Sequence, residues 1–330
     1  MLSEFLGTNI HLKRKLRIKI YQSPNCSASN FVSRQQHKRG VQRAESGERR
    51  RSKIEKTRYK KLFGSQNLRQ QLVLSTLTFT PIQIHDIRNN ETWPGLRMYE
   101  VALLKLLALV CHGCSFEIND TGNGFKFKPG IVMGGSKLEH DCGVERSIGY
   151  FLEPLILLGL FARKPITITL KDGILTIGSG FSWSVCFPSR SHGYGTSLVA
   201  ETTSGCYISA DTTISHARGE QISEVDSEKK ELVPPKDVGL KIASVLLGEI
   251  GQGGVVDSNL QGLLFLLCAL CPQDASKVQI GKLSPYGIDT LKNINDFLGV
   301  KFVIMPCSST STVFLKCVGC GLRKLSRKIS

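Results

Sequence analysis

The sequence predicts an α/β (α+β) domain assembled from repeated helix–strand–helix–hairpin units, and three observations predict it. The same order of elements occurs near both ends of the chain. A hydrophobic content of 41% is enough to bury a core. The charge is uneven as well. Residues 1–61 carry 17 basic and 4 acidic residues, so a tail of net charge +13 precedes a body, residues 62–330, of net charge +3.

The first unit opens with GSQNLRQQLVLSTL, where Leu68, Leu72 and residues 74–77 mark a helix, followed by the alternating strand IQIHDI at 82–87. Pro94-Gly95 breaks the chain before a second helix with Val101, Leu104, Leu107 and Ala108 on one face. Residues 116–118 and 125–127 flank a turn-rich connection and read as a hairpin. Near the C-terminus the order returns: an apolar helix over 260–271, the strand VQIGKL at 278–283, a helix capped by Ser284-Pro285, and a hairpin of 301–305 with 313–318. A repeat of about 60 residues implies stacked units, because no single one buries its own sheet face. A middle copy starts with a helix over 143–161 and a strand over 165–170, then stops. From Gly173 to Gly195 there are 5 Gly and 5 Ser in 23 residues instead of a second helix. A hairpin from SLVAET and CYISAD, a polar stretch at 218–235 and a helix over 238–250 follow.

The longest apolar stretches, LEPLILLGLFA and LLFLLCALC, fall short of the roughly 18 residues of a membrane span, which predicts a soluble protein with no membrane partner. The N-terminus lacks the pattern of a secretory signal. Eleven cysteines in a chain without that signal read as reduced thiols. The tail, with clusters at Lys13-Arg14-Lys15, Lys38-Arg39 and from Arg49 to Lys61, is too poor in apolar residues to fold alone. It reads as an arm for RNA or nuclear import, a transit peptide, a solvated extension or a miscalled start.

Several long blocks carry a family resemblance: GSQNLRQQLVLSTL, WPGLR at 93–97, KPGIVMGGSKLEHDCGVERSIGYFLEP at 128–154, SLVAETTSGCYISADT at 197–212 and GLLFLLCALCPQDASKVQIGKLSPYGIDTL at 262–291. Over residues 56–171 and 194–330 the chain closely resembles the ribosome-biogenesis branch of the RNA 3'-terminal phosphate cyclase family. The resemblance implies a large domain of three helix-and-sheet units, one of which receives a small inserted domain. Here about a hundred residues of the family pattern are expected to be replaced by residues 172–193, through a splice variant or a faulty gene model. That division gives a basic extension (1–61), a first unit and the start of the second (62–171), a divergent segment (172–195) and a C-terminal part (196–330).

Active cyclases pass AMP through a covalent histidine, a step that needs an unprotonated ring nitrogen and cationic neighbours for the phosphate. The resemblance places Asp257 at the nucleophile position, Leu62 where an active-site glutamate stands, Glu91 for an arginine and Tyr99 for a glutamine. Only Arg69 and Arg88 match the active pattern. The expectation is therefore no cyclase activity and no cofactor. Gly64-Ser65 before a helix, with Arg69 a turn in, suits either an anion-binding helix start or ordinary capping by Ser65. Arg88, Arg97 and Arg146 are further candidates for RNA phosphate. Gly134-Gly135 reads as a turn.

Three Cys-x-x-Cys pairs, Cys111/Cys114, Cys268/Cys271 and Cys317/Cys320, could bind zinc if two converged, as could His140 and Cys142 with the first pair. Small buried thiols account for them without a metal. The functional expectation is a non-catalytic factor of small-subunit ribosome biogenesis in the nucleolus, in the nucleus, acting in early pre-rRNA cleavage. The resemblance implies pre-ribosomal RNA, the small-subunit processome and a nucleolar GTPase as partners. The alternative is a pre-rRNA endonuclease with a rebuilt site that uses Asp257.

Overall fold

The computed structural model describes residues 17–21, 58–143, 145–171, 173–177, 193–215 and 234–322. The rest of the basic tail, residues 178–192 of the Gly/Ser-rich segment and the polar stretch at 218–233 lie outside the described residues. Within the tail one strand is described, β1 (Arg17–Tyr21).

The first unit runs β2 (Lys60–Phe63), α1 (Leu68–Thr78), β3 (Ile82–His85), α2 (Met98–Val110), the short β4 (Cys111–His112), then β5 (Ser115–Ile118) and β6 (Phe125–Lys128). The helix between β2 and β3 makes them parallel, and the hairpin adds β6 antiparallel to β3, giving the order β2-β3-β6-β5. Alternation sets the two faces. Ile82, Ile84, Phe125 and Phe127 are buried against the helices, whereas Lys61, Phe63, Lys126 and Lys128 point the other way and are exposed.

The chain continues through β7 (Ile131–Val132), which pairs with β4, into the middle unit: β8 (Gly135–Asp141), α3 (Gly149–Phe161), β9 (Ile166–Lys171) and β10 (Gly173–Ile177). β8 and β9 are parallel, as β2 and β3 are, and β10 lies antiparallel on β9. Gly134, with φ +71, lets the backbone pass Lys164, whose carbonyl oxygen would sit 2.1 Å from any Cβ there. β11 (Gly193–Glu201) and β12 (Tyr207–Ser215) follow as a hairpin, with β1 of the tail on β11, and α4 (Pro235–Gln252) covers them. Ala200, Ile208, Ala210, Ile242 and Leu246 form a small separate core there.

The third unit is α5 (Gln261–Leu270), β13 (Ala275–Ile280), α6 (Pro285–Leu298), β14 (Val303–Pro306) and β15 (Val313–Val318), in the sheet order β13-β15-β14. That reproduces β3-β6-β5 of the first unit. Leu72, Leu104, Phe151 and Phe265, one from each of four helices, share one fully buried cluster, so the three units meet through their helices.

Several boundaries differ from the sequence reading by a few residues, and three differences bear on how the units are built. The middle helix begins at Gly149 rather than 143, because Gly143 turns with φ +71 and residues 145–148 form a connection. The strand expected over 278–283 is β13, which starts at Ala275. Its end is fixed by Gly254 bridging to Ile280, and residues 281–284 turn into α6. Ser65 does not cap α1. The helix starts at Leu68 behind Asn67 (φ 60), and Ser65 only lends its carbonyl to the Leu68 N–H at 3.2 Å.

Candidate functional site

The helices present their first turns to one another, and each brings a polar side chain. Arg69 stands at the second position of α1, Tyr99 and Glu100 in the first turn of α2, Tyr150 and Glu153 early in α3, and Tyr286 at the second position of α6. Helix starts carry partial positive charge and unpaired N–H groups, which favours anionic partners at such a place. Here the anions come from the chain itself.

Arg88 sits just after β3 with φ 51, left-handed backbone that costs a non-glycine residue on the order of 1 kcal/mol. What holds it there is a two-pronged ion pair: its guanidinium donates to the Glu100 oxygens at 2.8 and 2.6 Å and to the Gly95 carbonyl at 3.0 Å. Glu100 is 2% exposed and also accepts from the Arg97 N–H at 2.8 Å, which secures the start of α2. The hydrogen bond and charge of Glu100 raise the Arg88 pKa, so the guanidinium stays charged. Arg97 donates to Glu91 at 2.7 Å.

Arg69 pairs with Glu153, donates to the Tyr150 carbonyl at 3.3 Å and lies over the Tyr150 ring at 5.0 Å. Tyr286 donates its hydroxyl to the other Glu153 oxygen at 3.1 Å. Gly262 makes this reach feasible, because a Cβ there would fall 2.3 Å from the Tyr286 ring. Tyr99 and Tyr150 meet edge to face at 5.3 Å, and the Arg146 guanidinium covers Tyr99 at 4.8 Å. Burial pushes the Tyr150 and Tyr286 hydroxyls up, so both stay protonated.

The structure therefore gathers Arg69, Arg88, Arg97, Arg146, Glu91 and Tyr99 into one connected cluster. Three of the four arginines are neutralised by carboxylates. Among the described residues no carboxylate pairs with Arg146, whose contact is with Tyr99. Gly64 and Ser65 lie at the end of β2, with the Gly64 N–H on the His85 carbonyl at 2.8 Å. Leu62 is a strand residue opposite Ile84 and packs on the core.

Asp257 is 1% exposed. One carboxylate oxygen accepts from the Ser209 N–H and hydroxyl at 3.1 and 2.9 Å, the other from the N–H groups of Asn259 and Leu260, both at 3.1 Å. Four donors on two oxygens tie β12 to the start of α5. In this arrangement Asp257 has no lone pair directed at a substrate, contrary to the expectation that it is available for acid-base work.

The six cysteines of the three Cys-x-x-Cys pairs are free thiols. The Cys320 N–H on the Ala269 carbonyl at 2.8 Å and the Gly321 N–H on the Cys271 carbonyl at 3.0 Å bring the last two Cys-x-x-Cys pairs to one end of the third unit. Burial pushes Cys268 up to about 12 and Cys317 up to about 11, which keeps these thiols protonated. Among the described residues no three ligand side chains are arranged to hold a metal ion. His140 is buried beside Phe151 on β8, away from any such set.

Glu100, Glu153, Tyr150 and Tyr286 were missed in the sequence, although a signal was there. Each of α2, α3 and α6 has tyrosine as its second residue, with an acid one or three places later: Tyr99/Glu100, Tyr150/Glu153, Tyr286/Asp289.

Sheets stacked through their helices, with the helix starts gathered around arginines, define a cyclase-type α/β protein. The family model for RNA 3'-terminal phosphate cyclase matches residues 61–304, and the chain belongs to that family. It is 42% identical to a probable RNA 3'-terminal phosphate cyclase-like protein of Arabidopsis thaliana over 371 aligned positions, covering 82% of this chain and 99% of the relative. The human RNA 3'-terminal phosphate cyclase-like protein is 31% identical over 372 positions, covering 81% and 97%. The rRNA processing protein rcl1 of Schizosaccharomyces pombe is 42% identical over 111 positions, 34% of this chain and 30% of that protein. Among the described residues no helix is long and apolar enough to cross a membrane.

Proposed function

We propose that the chain is a non-catalytic cyclase-like factor in rRNA processing, acting in early cleavages of small-subunit ribosome assembly in the nucleolus, with pre-ribosomal RNA and a nucleolar GTPase as partners. The observation that carries this reading is Asp257. At the position the resemblance assigns to the histidine nucleophile, the chain has a buried carboxylate whose oxygens are occupied by four donors of its own backbone and Ser209. Like charge at that place opposes a phosphate, and a carboxylate in place of the ring nitrogen cannot form the histidine–AMP adduct. The rRNA link rests on the fission-yeast relative. Incubation with labelled ATP should give no covalent adduct, and a histidine-linked AMP would overturn the catalytic half. Protein recovered from cells should carry rRNA precursors and a GTPase, and recovery of neither would overturn the rest.

We also infer that residues 172–193 stand where the relatives have a longer middle. The Arabidopsis alignment has 371 positions, of which 82% of 330 residues supplies about 271, so about 100 positions face no residue here. Sequencing the full transcript tests this, and a relative matching 172–193 without interruption would refute it.

A further inference from the structure

The paired arginines leave open how this body would hold RNA. A phosphate approaching Arg69, Arg88 or Arg97 must displace a carboxylate already bound there, whereas an exposed lysine only has to release counterions. One group of exposed lysines lies elsewhere, on the open face of the β2-β3-β6-β5 sheet. Lys61, Gln83, Lys126 and Glu117 lie in one row across its four strands, and Lys128 stands two residues along β6 from Lys126. Lys60, one residue before Lys61, points to the other side, where its ammonium donates to the Asp296 carbonyl at 2.7 Å. Glu117 is the acid in that row, pairing with Lys126 at 3.5 Å.

Beside this row are two rings. Phe63 and His85 face each other in the register of β2 and β3, with centroids 6.0 Å apart and planes tilted by 33°. Phe63 is 68% exposed, which packing against the core would not produce. Next to His85 is an open cleft of about 190 Å³, lined in part by Gln83 and Lys126. Gly124 lines it too, where a Cβ would meet the Ile84 carbonyl at 3.0 Å. An acidic peptide would use the lysines and leave the rings idle. A single-stranded nucleic acid uses both, stacking bases on exposed rings of an open sheet while its phosphates meet lysines. The chain enters this same sheet from the basic tail, with Arg49, Arg50, Arg51, Lys53 and Lys56 immediately before edge strand β2.

We propose that the open face of the first unit's sheet binds single-stranded RNA, with a base stacked on Phe63 and His85 and phosphates along Lys61, Lys126 and Lys128. This rests on the reading of the chain as an rRNA-processing factor, and deepens it by naming the surface. The test is fluorescence anisotropy of a labelled ten-residue oligouridylate with the full chain and its variants. The double variant Phe63→Ala/His85→Ala should bind about fivefold to a hundredfold more weakly, the usual loss on removing a stacking ring. Phe63→Trp should bind at least as tightly as the parent, a rescue that a purely structural role would not give. Lys126→Gln should lower the slope of log affinity against log salt by about 0.7. Ultraviolet crosslinking of the bound oligonucleotide should mark Phe63 or His85. Unchanged affinity in the double variant, or crosslinks confined to residues 1–57, would overturn the surface while leaving the rRNA reading standing. Binding of an acidic peptide but not of the oligonucleotide would overturn the surface as an RNA site.

Discussion

The first unit and the middle unit begin alike and part after their second strand. β2–α1–β3 and β8–α3–β9 share one pattern, parallel strands joined through one helix. In the first unit the chain then leaves the sheet, turns through Arg88 and Pro94-Gly95, and lays down α2, whose Leu103, Leu104, Leu106, Leu107 and Val110 are all buried, before it returns as a hairpin. In the middle unit it turns at once, and β10 takes the place on β9 that β6 holds on β3. Strand order thus survives the loss of a helix, because backbone pairing needs only an adjacent edge. Burial of β9 survives as well: Ile166, Ile168 and Leu170 are at most 1% exposed and belong to the main core, which α3 shares.

That contrast can be broken at its most expensive point. Arg88→Ala should destabilise the protein by about 3–5 kcal/mol in urea unfolding, since it leaves Glu100 buried without its partner and frees the turn into α2, which has no counterpart between β9 and β10. Ser284→Ala, in the third unit, should cost about 1 kcal/mol, because the Ser284 hydroxyl accepts the Gly287 N–H at 3.0 Å and caps α6. Arg69→Ala, which cuts the tie between the first and middle units, should cost less than about 1 kcal/mol, as both partners are more than a fifth exposed. Equal losses for Arg88→Ala and Arg69→Ala would undo the contrast.

The middle unit should also be marked by pH. Burial holds the His140 imidazole below its ordinary value, and its Nε2 has no hydrogen-bond partner. Its contribution is therefore fully present above the unfolded value of about 6.5 and is lost as pH falls through that value toward the folded one. The slope of stability against pH in this range should flatten in His140→Phe. The smallest effect is chemical. Cys307, in the exposed hairpin connection of the third unit, is brought down to about 6 by hydrogen bonds from Ser309 and Thr310, while burial pushes Cys111 of the first unit up to about 12. Brief iodoacetamide treatment at pH 7 should label Cys307 well before Cys111, read by mass spectrometry, with no change in melting.

Most of the architecture was legible because it is written in periodicity. Alternation at 82–85 and the i, i+3, i+4 spacing of Leu104 and Leu107 give β3 and α2 directly, and the repeat of the pattern after residue 260 gives the third unit. Arg69, Arg88, Arg97 and Arg146 could be picked out as residues of one site. Their charge state could not, because Glu100 and Glu153 look like ordinary helix-surface acids until the helix starts are brought together. Asp257 was legible as a departure from the family's nucleophile. Its bond to Ser209, 48 residues away, was not, since that contact depends on where β12 lies against α5. Phe63 escaped notice because one exposed ring at the end of a four-residue strand has no periodic signature.

The gathered helix starts have a further consequence in terms of competition. Glu100 and Glu153 are covalently part of the chain that presents Arg88 and Arg69, so any dissolved anion competes with a tethered one whose effective concentration lies in the millimolar range or above. A nucleotide approaching Arg69, Arg88 or Arg97 meets a guanidinium already paired from within, and that pairing is set when the chain folds.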